Sequence, residues 1–146
     1  MAFDCKDSGS YLASQLAKVF SRSLQQHAAH LGFLPGQFPV LLELWTNEGL
    51  TQKQLIDRLD VEQATVANTL VRMERDGLIE RRAHPTDRRA RLIYLTERAK
   101  TMRDDALQAA READRALFNG FRNFERELAL EYMRRLIENA HKLENL

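Results

Sequence analysis

The spacing of apolar residues changes once along this chain, and that change limits its possible folds more than any other feature. Up to Gly77 the apolar residues recur at steps of three and four, which is typical of amphipathic helices. Leu78–Arg82 and Arg89–Leu95 are typical of two strands with a turn at 84–87, and helical spacing then returns. The sequence therefore predicts a mainly α-helical protein with one small β-hairpin set among the helices.

Two short helices are predicted directly before the hairpin. Thr51 and Gln54 have the spacing of a capping box, which starts the first of them. After a turn at 60–62, the second runs from about Gln63 to Asp76, and Gly77 follows where a left-handed C-terminal residue belongs. Two such helices followed by a hairpin have the layout of a winged helix-turn-helix, whose second helix enters the DNA major groove.

Longer helices are predicted on both sides of this unit. They are a first helix capped by Ser10, a second opened by Pro35, a long one from Thr96 to about Phe118, and a last one capped by Asn123. The first and the last two carry long apolar stripes that little else in the chain can cover. A two-fold dimer would cover them and would match two half-sites about one DNA turn apart; mutual packing within a monomer is the alternative.

One face of the second short helix carries the candidate DNA contacts. At about 100° per residue, Val66, Thr69, Leu70 and Met73 cluster on the side that faces the core. The opposite side, its flanks and the N-terminal end carry the candidates Gln63, Ala64, Thr65, Asn68, Arg72 and Arg75. The amide of Asn68 suits N6 and N7 of adenine, and the two arginines are expected nearer the phosphates.

The predicted hairpin is strongly basic although the chain as a whole is nearly neutral. Residues 80–91 contain five arginines and two carboxylates, a net charge of +3 in a chain with a total of +1. Arginine without lysine favours contact with a groove or with phosphate. Asp87 stands two residues before Arg89 and can hold its guanidinium ready for a narrow minor groove. The neutral total therefore excludes a simple polycation but not a basic DNA-binding edge.

Three segments resemble the signature of the MarR family of bacterial transcriptional regulators: Asp-Gly-Leu-Ile-Glu-Arg at 76–81, Asp-Arg-Arg at 87–89 and Leu-Thr at 95–96. The flanking helices also fit this family in number and order. The resemblance implies an obligate homodimer, with 8–34 and 97–146 as the helical dimerisation region and 35–96 as the winged helix-turn-helix DNA-binding domain. It also implies that the dimer binds a pseudo-palindromic operator in double-stranded DNA. In that complex Arg89 would enter the minor groove with Asp87 and Arg88 beside it, and the helix from Gln63 to Arg72 would contact bases or backbone.

The same resemblance implies a small-molecule effector. The family binds small aromatic or phenolic anions in a cleft between the two regions, and Phe20, His27, His30 and Trp45 could border such a cleft here. The expected function is that of a homodimeric, sequence-specific repressor released from DNA by this ligand, with activation still open. The alternative is a winged helix used for protein–protein interaction or for nonspecific architectural DNA binding.

Other classes of function find little support in the sequence. It has no glycine-rich phosphate loop, serine-centred elbow or paired carboxylates in an apolar setting, so neither an enzyme nor a cofactor is expected. His27 and His30 lack a carboxylate or cysteine at helical spacing, so no metal site is expected. Cys5 precedes the first helix, where a redox role is not favoured. Without a signal peptide or an apolar run of about 18 residues, the chain is expected to be cytoplasmic, with no membrane partner.

Overall fold

The computed structural model describes residues 2–145 and is mainly helical, with one small sheet. Its helices are α1 (Gly9–Ala28), α2 (Phe38–Thr46), α3 (Gln52–Leu59), α4 (Gln63–Arg75), α5 (Glu97–Thr101), α6 (Arg103–Leu117) and α7 (Asn123–Glu144). Its strands are β1 (Leu50–Thr51), β2 (Ile79–Ala83) and β3 (Arg91–Leu95), and 3-10 turns lie at Cys5–Asp7, Ala29–Leu31 and Pro35–Gln37. The chain forms two compact units, one up to Asp114 and one from Arg115.

The helices of the predicted winged unit begin and end where the local sequence signals place them. The Thr51 hydroxyl accepts from the N–H of Gln54 at 3.2 Å, and the Gln54 side chain accepts from the N–H of Thr51 at 2.8 Å. This reciprocal pair confirms the capping box that starts α3. Gly77 adopts a left-handed φ of 74°, and the N–H of Leu78 donates to the carbonyl of Met73 at 2.9 Å. These contacts confirm the predicted end of α4.

The outer helices differ from prediction at their starts. Ser8, not Ser10, caps α1. The cap position of α7 is Arg122 instead of Asn123, and its backbone N–H donates to the carboxylate of Glu125 at 2.9 Å. A glutamate that reaches back to the N–H of the cap residue is one half of a capping box, which accounts for a cap at Arg122. The long helix predicted after the hairpin is interrupted at residue 102, which separates α5 from α6.

The hairpin is the larger part of a three-stranded antiparallel sheet in the order β1-β3-β2. Its returning strand begins at Arg91, two residues after the predicted start at Arg89. The third strand, β1, is too short to leave a sequence pattern, and Leu50 and Thr51 pair with Ile93 and Leu92. Because β1 runs directly into α3, this pairing brings the first turn of α3 beside the hairpin.

A single cluster of buried apolar residues holds the first unit together. Its members with no more than 2% exposure include Ala28, Leu41, Leu44, Leu55, Val66, Leu70, Met73, Leu78, Ile79, Ile93, Ala99 and Ala106. Val66, Leu70 and Met73 anchor the inner side of α4 in this cluster. The opposite side of α4 is therefore turned to solvent.

A polar network fixes the C-terminal end of α4. The amide of Gln37, which is only 3% exposed, donates to the carboxylate of Asp76 at 3.2 Å. The guanidinium of Arg98 donates to the carbonyl of Asp76 at 2.6 Å and to that of Leu31 at 3.5 Å. The hydrogen bond from Gln37 lowers the pKa of the Asp76 carboxyl; burial opposes this, and Arg75 and Arg98 reinforce it. This end of α4 is thus tied to the residues that follow α1.

Apolar side chains remain exposed on α1 and, separately, on α7. On α1 these are Tyr11, Leu12 and Leu16, and on α7 they are Phe124, Leu128, Tyr132, Leu136, Ile137 and Leu143. No described residue of α7 is buried. None of the helices between residues 2 and 145 combines the length and apolar character needed to cross a bilayer.

Candidate nucleic-acid interface

The outer side of α4 presents the side chains that the sequence predicts to contact DNA. Gln63, Ala64, Thr65, Asn68, Arg72 and Arg75 are all exposed. Thr69 was predicted on the core side, but it is only half-buried, and its hydroxyl donates to the carbonyl of Thr65 at 2.8 Å. This is the usual way in which a helical threonine satisfies its hydroxyl. The exposed side therefore combines small residues, an amide and guanidinium groups on a helix anchored from behind.

The two ends of α4 differ in how their polar groups are satisfied. At its start, Glu62 makes no side-chain hydrogen bond as a cap, so the first-turn N–H groups have no capping side chain. Such groups favour anions. At its end, the Arg75 guanidinium lies 3.4 Å from the carboxylate of Asp76. Arg72 makes no ion pair within the described residues, and its guanidinium is available to a phosphate.

The tip of the hairpin, residues 84–90, is held by its own side chains. Nδ1 of His84 accepts from the backbone N–H groups of Thr86 at 3.2 Å and Asp87 at 3.0 Å. The carboxylate of Asp87 in turn accepts from the backbone N–H of Arg89 at 2.9 Å. The prediction that Asp87 holds the Arg89 guanidinium was therefore wrong. A carboxylate two residues before an N–H group forms an Asx-type turn, and here that contact orients the backbone.

The five arginines of the hairpin fall into two groups. Arg81 lies 3.6 Å from the carboxylate of Glu74 on α4. Arg82 binds Glu80 through two nitrogens, at 2.6 and 3.1 Å, and stacks over the ring of Tyr94 at 3.9 Å. Its hydrogen bonds to Glu80 raise the pKa of Arg82 above the ordinary value. The other three, Arg88, Arg89 and Arg91, are exposed and have no ion pair among residues 2–145.

A basic groove of about 420 Å³ separates the hairpin from the first turn of α3. It is lined by Thr51, Gln52, Lys53, Arg81, His84, Asp87, Arg89, Ala90 and Arg91. The lining therefore includes four cationic side chains, of Lys53, Arg81, Arg89 and Arg91, and one carboxylate, of Asp87. Lys53 was not predicted to contact DNA, because only the pairing of β1 with β3 brings residues nearly 40 positions apart into one groove. Arg81 and Arg91 were predicted only as part of the basic hairpin.

This chain shares its combination of helix and hairpin with one family of regulators. The sequence model of the MarR family matches residues 34–90. The chain is 29% identical to the transcriptional regulator HosA of Escherichia coli O111:H-, over 84% of this chain and 92% of HosA. It is 28% identical to the HTH-type transcriptional regulator YwoH of Bacillus subtilis, over 78% of this chain and 82% of YwoH.

Solved structures extend the likeness over most of the chain. The crystal structure of MarR superposes with a TM-score of 0.77 at 29% identity, over 90% of this chain and 96% of that one. The chain carries a MarR-family domain at residues 34–90. Two further structures share its fold at 19% identity. A MarR-family regulator from Listeria monocytogenes complexed with 26mer DNA has a TM-score of 0.74, with 95% of this chain and 89% of that one covered. CouR from Rhodococcus jostii RHA1 bound to p-coumaroyl-CoA has a TM-score of 0.75, with 95% of each covered.

The four residues predicted to border an effector cleft have different surroundings in the structure. Phe20 lines a cavity of about 240 Å³ with Ser21, Leu24, Pro35, Phe38, Ala110, Ala113 and Asp114. Trp45 lines a different cavity of about 320 Å³, and its indole N–H donates to the carbonyl of Ala99 at 2.9 Å. His27 contacts the carbonyl of Ser23 through Nδ1 at 2.8 Å, and His30 is exposed. A role for these residues at an effector cleft stays a prediction, since helical spacing alone does not fix which faces meet.

Residues 2–145 offer little support for metal binding or for thiol chemistry. No three His, Cys, Asp or Glu side chains are grouped there so that they could hold a metal ion. Cys5 is exposed, in the 3-10 turn ahead of α1. The basic groove and the outer side of α4 therefore remain the strongest candidate site of this chain.

Proposed function

We propose that this chain is a homodimeric repressor of the MarR family that binds a pseudo-palindromic operator in double-stranded DNA. The observation that carries the proposal is the wing, defined here as residues 79–95. Its tip is held by internal hydrogen bonds while three of its arginines stay exposed and unpaired within the described chain. Exposed arginines without a carboxylate partner on an ordered tip are well suited to bind an anionic partner such as DNA.

The proposal assigns different contacts to the two parts of the site. Asn68 on α4 reads a base edge in the major groove, with adenine as the partner that matches its amide. Arg89 enters the minor groove, while Arg72 and Lys53 bind phosphates and fix the register. The ion pair between Arg81 and Glu74 ties the wing to α4, so that both parts approach the duplex as one body.

Homodimer formation is supported by the exposed apolar side chains of α1 and α7. Leu136 and Ile137, for example, are 69% and 57% exposed. Leaving such side chains in water costs about 25 cal/mol per Å² of apolar surface, which a second copy would recover. Sedimentation equilibrium should give a dimer for the chain and a shift toward monomer for Leu136→Glu. The same introduction of glutamate at an exposed polar residue of α7, Asn139→Glu, is the control, and a monomeric wild type would contradict this part.

Release by a small aromatic ligand is the second part of the proposal. CouR, which shares the fold, is bound to p-coumaroyl-CoA in its crystal structure. In this chain the cavity beside Phe20 has aromatic and apolar walls, as ligand sites commonly do. A ligand there that prefers a conformation with different half-site spacing would weaken operator binding. Phenolic acids should release the chain from DNA, and Phe20→Ala should abolish that response without weakening operator binding.

Specific DNA binding is the decisive test. We expect binding to the gene's own upstream region at moderate salt, at least 1000-fold tighter than to random DNA of equal length. Arg89→Ala should weaken it and lower the slope of log affinity against log salt by about 1. Arg103→Ala is the matched control, since Arg103 is also exposed but pairs with Asp104 away from the groove. Equal affinity for operator and random DNA would favour architectural binding instead.

Two further experiments separate the finer claims. Asn68→Ala should change discrimination among operator variants at one position, by about 1–3 kcal/mol. Unchanged discrimination would remove Asn68 from base reading. Transcription from the operator-bearing promoter in vitro should fall when the protein is added, whereas a rise would make it an activator.

A further inference from the structure

The imidazole of His84 occupies a position that the predicted function does not use. It lies at the base of the wing tip, half-buried, and forms part of the wall of the basic groove. We infer that His84 is a positioning residue for DNA binding, which acts through the backbone of Asp87 and Arg89. This inference rests on the proposed function, because it concerns how the wing reaches DNA.

The hydrogen bonds of His84 define the role of its Nδ1 atom. Nδ1 lies 3.0 Å from the backbone nitrogen of Asp87, 3.2 Å from that of Thr86 and 3.4 Å from the Thr86 hydroxyl. A backbone N–H can only donate, so Nδ1 must offer its lone pair to both amides. His84 therefore acts on the turn through Nδ1, as a hydrogen-bond acceptor.

The contact continues from His84 to the arginine at the tip. Fixing the N–H of Asp87 fixes the turn that carries its carboxylate, which then accepts from the N–H of Arg89 at 2.9 Å. The carbonyl of Asp87 accepts from the N–H of Ala90 at 3.3 Å. These bonds form a relay from one imidazole to the backbone on both sides of the Arg89 Cα.

The relay matters because residues 84–90 lie outside the ladder of the sheet. The last paired residues of the two strands are Ala83 and Arg91. A tip without internal bonds would lose conformational freedom only when DNA bound, and that loss would weaken binding. With the relay intact, the backbone of Arg89 is ordered beforehand. The core does not depend on His84, which is absent from the buried cluster of the first unit.

A double-mutant cycle on operator affinity tests this inference. His84→Ala should weaken binding by about three- to tenfold, which corresponds to the loss of one or two hydrogen bonds. In the Arg89→Ala background the same change should have less than a twofold effect, because the group being positioned is already gone. His84→Asn should restore wild-type affinity, since Oδ1 of asparagine lies where Nδ1 lies and accepts from the same amides.

Thr86→Ala is the matched control in the same turn. It keeps the backbone N–H that His84 binds and removes only a hydroxyl at 3.4 Å, so operator affinity should stay within twofold. Unfolding temperatures of the variants show whether a change in binding reflects loss of folded protein. The salt slope should fall with His84→Ala only if Arg89 is displaced from the DNA, a readout that general destabilisation does not move.

The outcomes separate this inference from the proposed function. If Arg89→Ala weakens binding but His84→Ala does not, or if the two effects multiply in the double variant, His84 does not act through Arg89. Failure of His84→Asn to recover affinity would also overturn the relay, because the acceptor would have been restored without effect. If the wild type shows no preference for operator DNA at all, the proposed function itself fails.

Discussion

Two glycines with almost the same backbone angle provide a direct test of how tightly the wing is packed. Gly49 has a φ of 77° and Gly77 a φ of 74°, both left-handed. A Cβ built on Gly77 meets nothing within 4 Å, whereas one on Gly49 comes within 2.9 Å of the Tyr94 hydroxyl and 3.2 Å of its Cζ. Alanine therefore brings the same strain to both positions but a steric conflict to only one.

The magnitudes follow from these contacts. Left-handed alanine costs about 1–2 kcal/mol, of which 0.4–1 kcal/mol is offset by reduced freedom of the unfolded chain. Gly77→Ala should thus lower the free energy of unfolding by about 1 kcal/mol. Gly49→Ala must also push Tyr94 out of its preferred rotamer, which costs about 0.5–1.5 kcal/mol. The same movement breaks the stacking of Arg82 on the Tyr94 ring, which costs about 0.5–1 kcal/mol more. Its total of about 2–3 kcal/mol should lower the unfolding temperature by roughly 8–12 °C.

Urea unfolding at one fixed protein concentration measures both variants on the same scale. Tyr94→Phe provides the control, because it removes the hydroxyl that the new Cβ meets first. Gly49→Ala should cost less in that background than in the wild type, while the cost of Gly77→Ala should not change. Equal destabilisation by the two glycine substitutions, or no relief by Tyr94→Phe, would refute the reasoning.

Three further predictions concern single contacts. The pKa of Asp76, measured by NMR titration of its carboxyl, should lie below its ordinary value and rise in Gln37→Ala, and an unchanged pKa would contradict the Gln37 contact. The stability that this carboxylate contributes is present above its ordinary pKa and is lost as the pH falls through the lowered pKa. Thr51→Ala should cost about 0.5–2 kcal/mol in urea unfolding by opening the capping box with Gln54, whereas Thr51→Ser should cost far less. Trp45→Phe should cost about 1 kcal/mol by circular dichroism, since it removes one indole hydrogen bond but keeps most of the packing, and no loss would make that bond energetically neutral.

The parts of the fold that the sequence predicted depend on local signals. The start of α3 follows from Thr51 and Gln54, three residues apart, and the end of α4 follows from Gly77. The inner and outer sides of α4 follow from helical spacing, because Leu70 and its neighbours one turn away must be buried together. Thr69, at the border between the sides, is where spacing alone misplaced a residue.

The features of the fold and site that the sequence did not predict depend on tertiary contacts. Strand β1 exists only because Leu50 and Thr51 pair with β3, and without that pairing nothing places Lys53 in the basic groove. Arg81 and Arg88 look alike in sequence, yet only the first meets a carboxylate, which lies on α4. The role of His84 depends on the conformation of one turn, of which the only local sign is a histidine just before Pro-Thr-Asp.

Because α4 is held at its C-terminal end, a rotation about that end displaces its N-terminal end most. Gln37 and Arg98 bind Asp76, the residue that directly follows α4, while the N-terminal end of α4 begins without a capping side chain. With 13 residues at 1.5 Å each, the helix is about 20 Å long. A swing of about 10° around the fixed end would carry Gln63 through about 3.4 Å, the rise of one base pair. The buried Val66 lies between the fixed end and Gln63, so the core must move with α4 before the tip of this helix falls out of step with the DNA by one base.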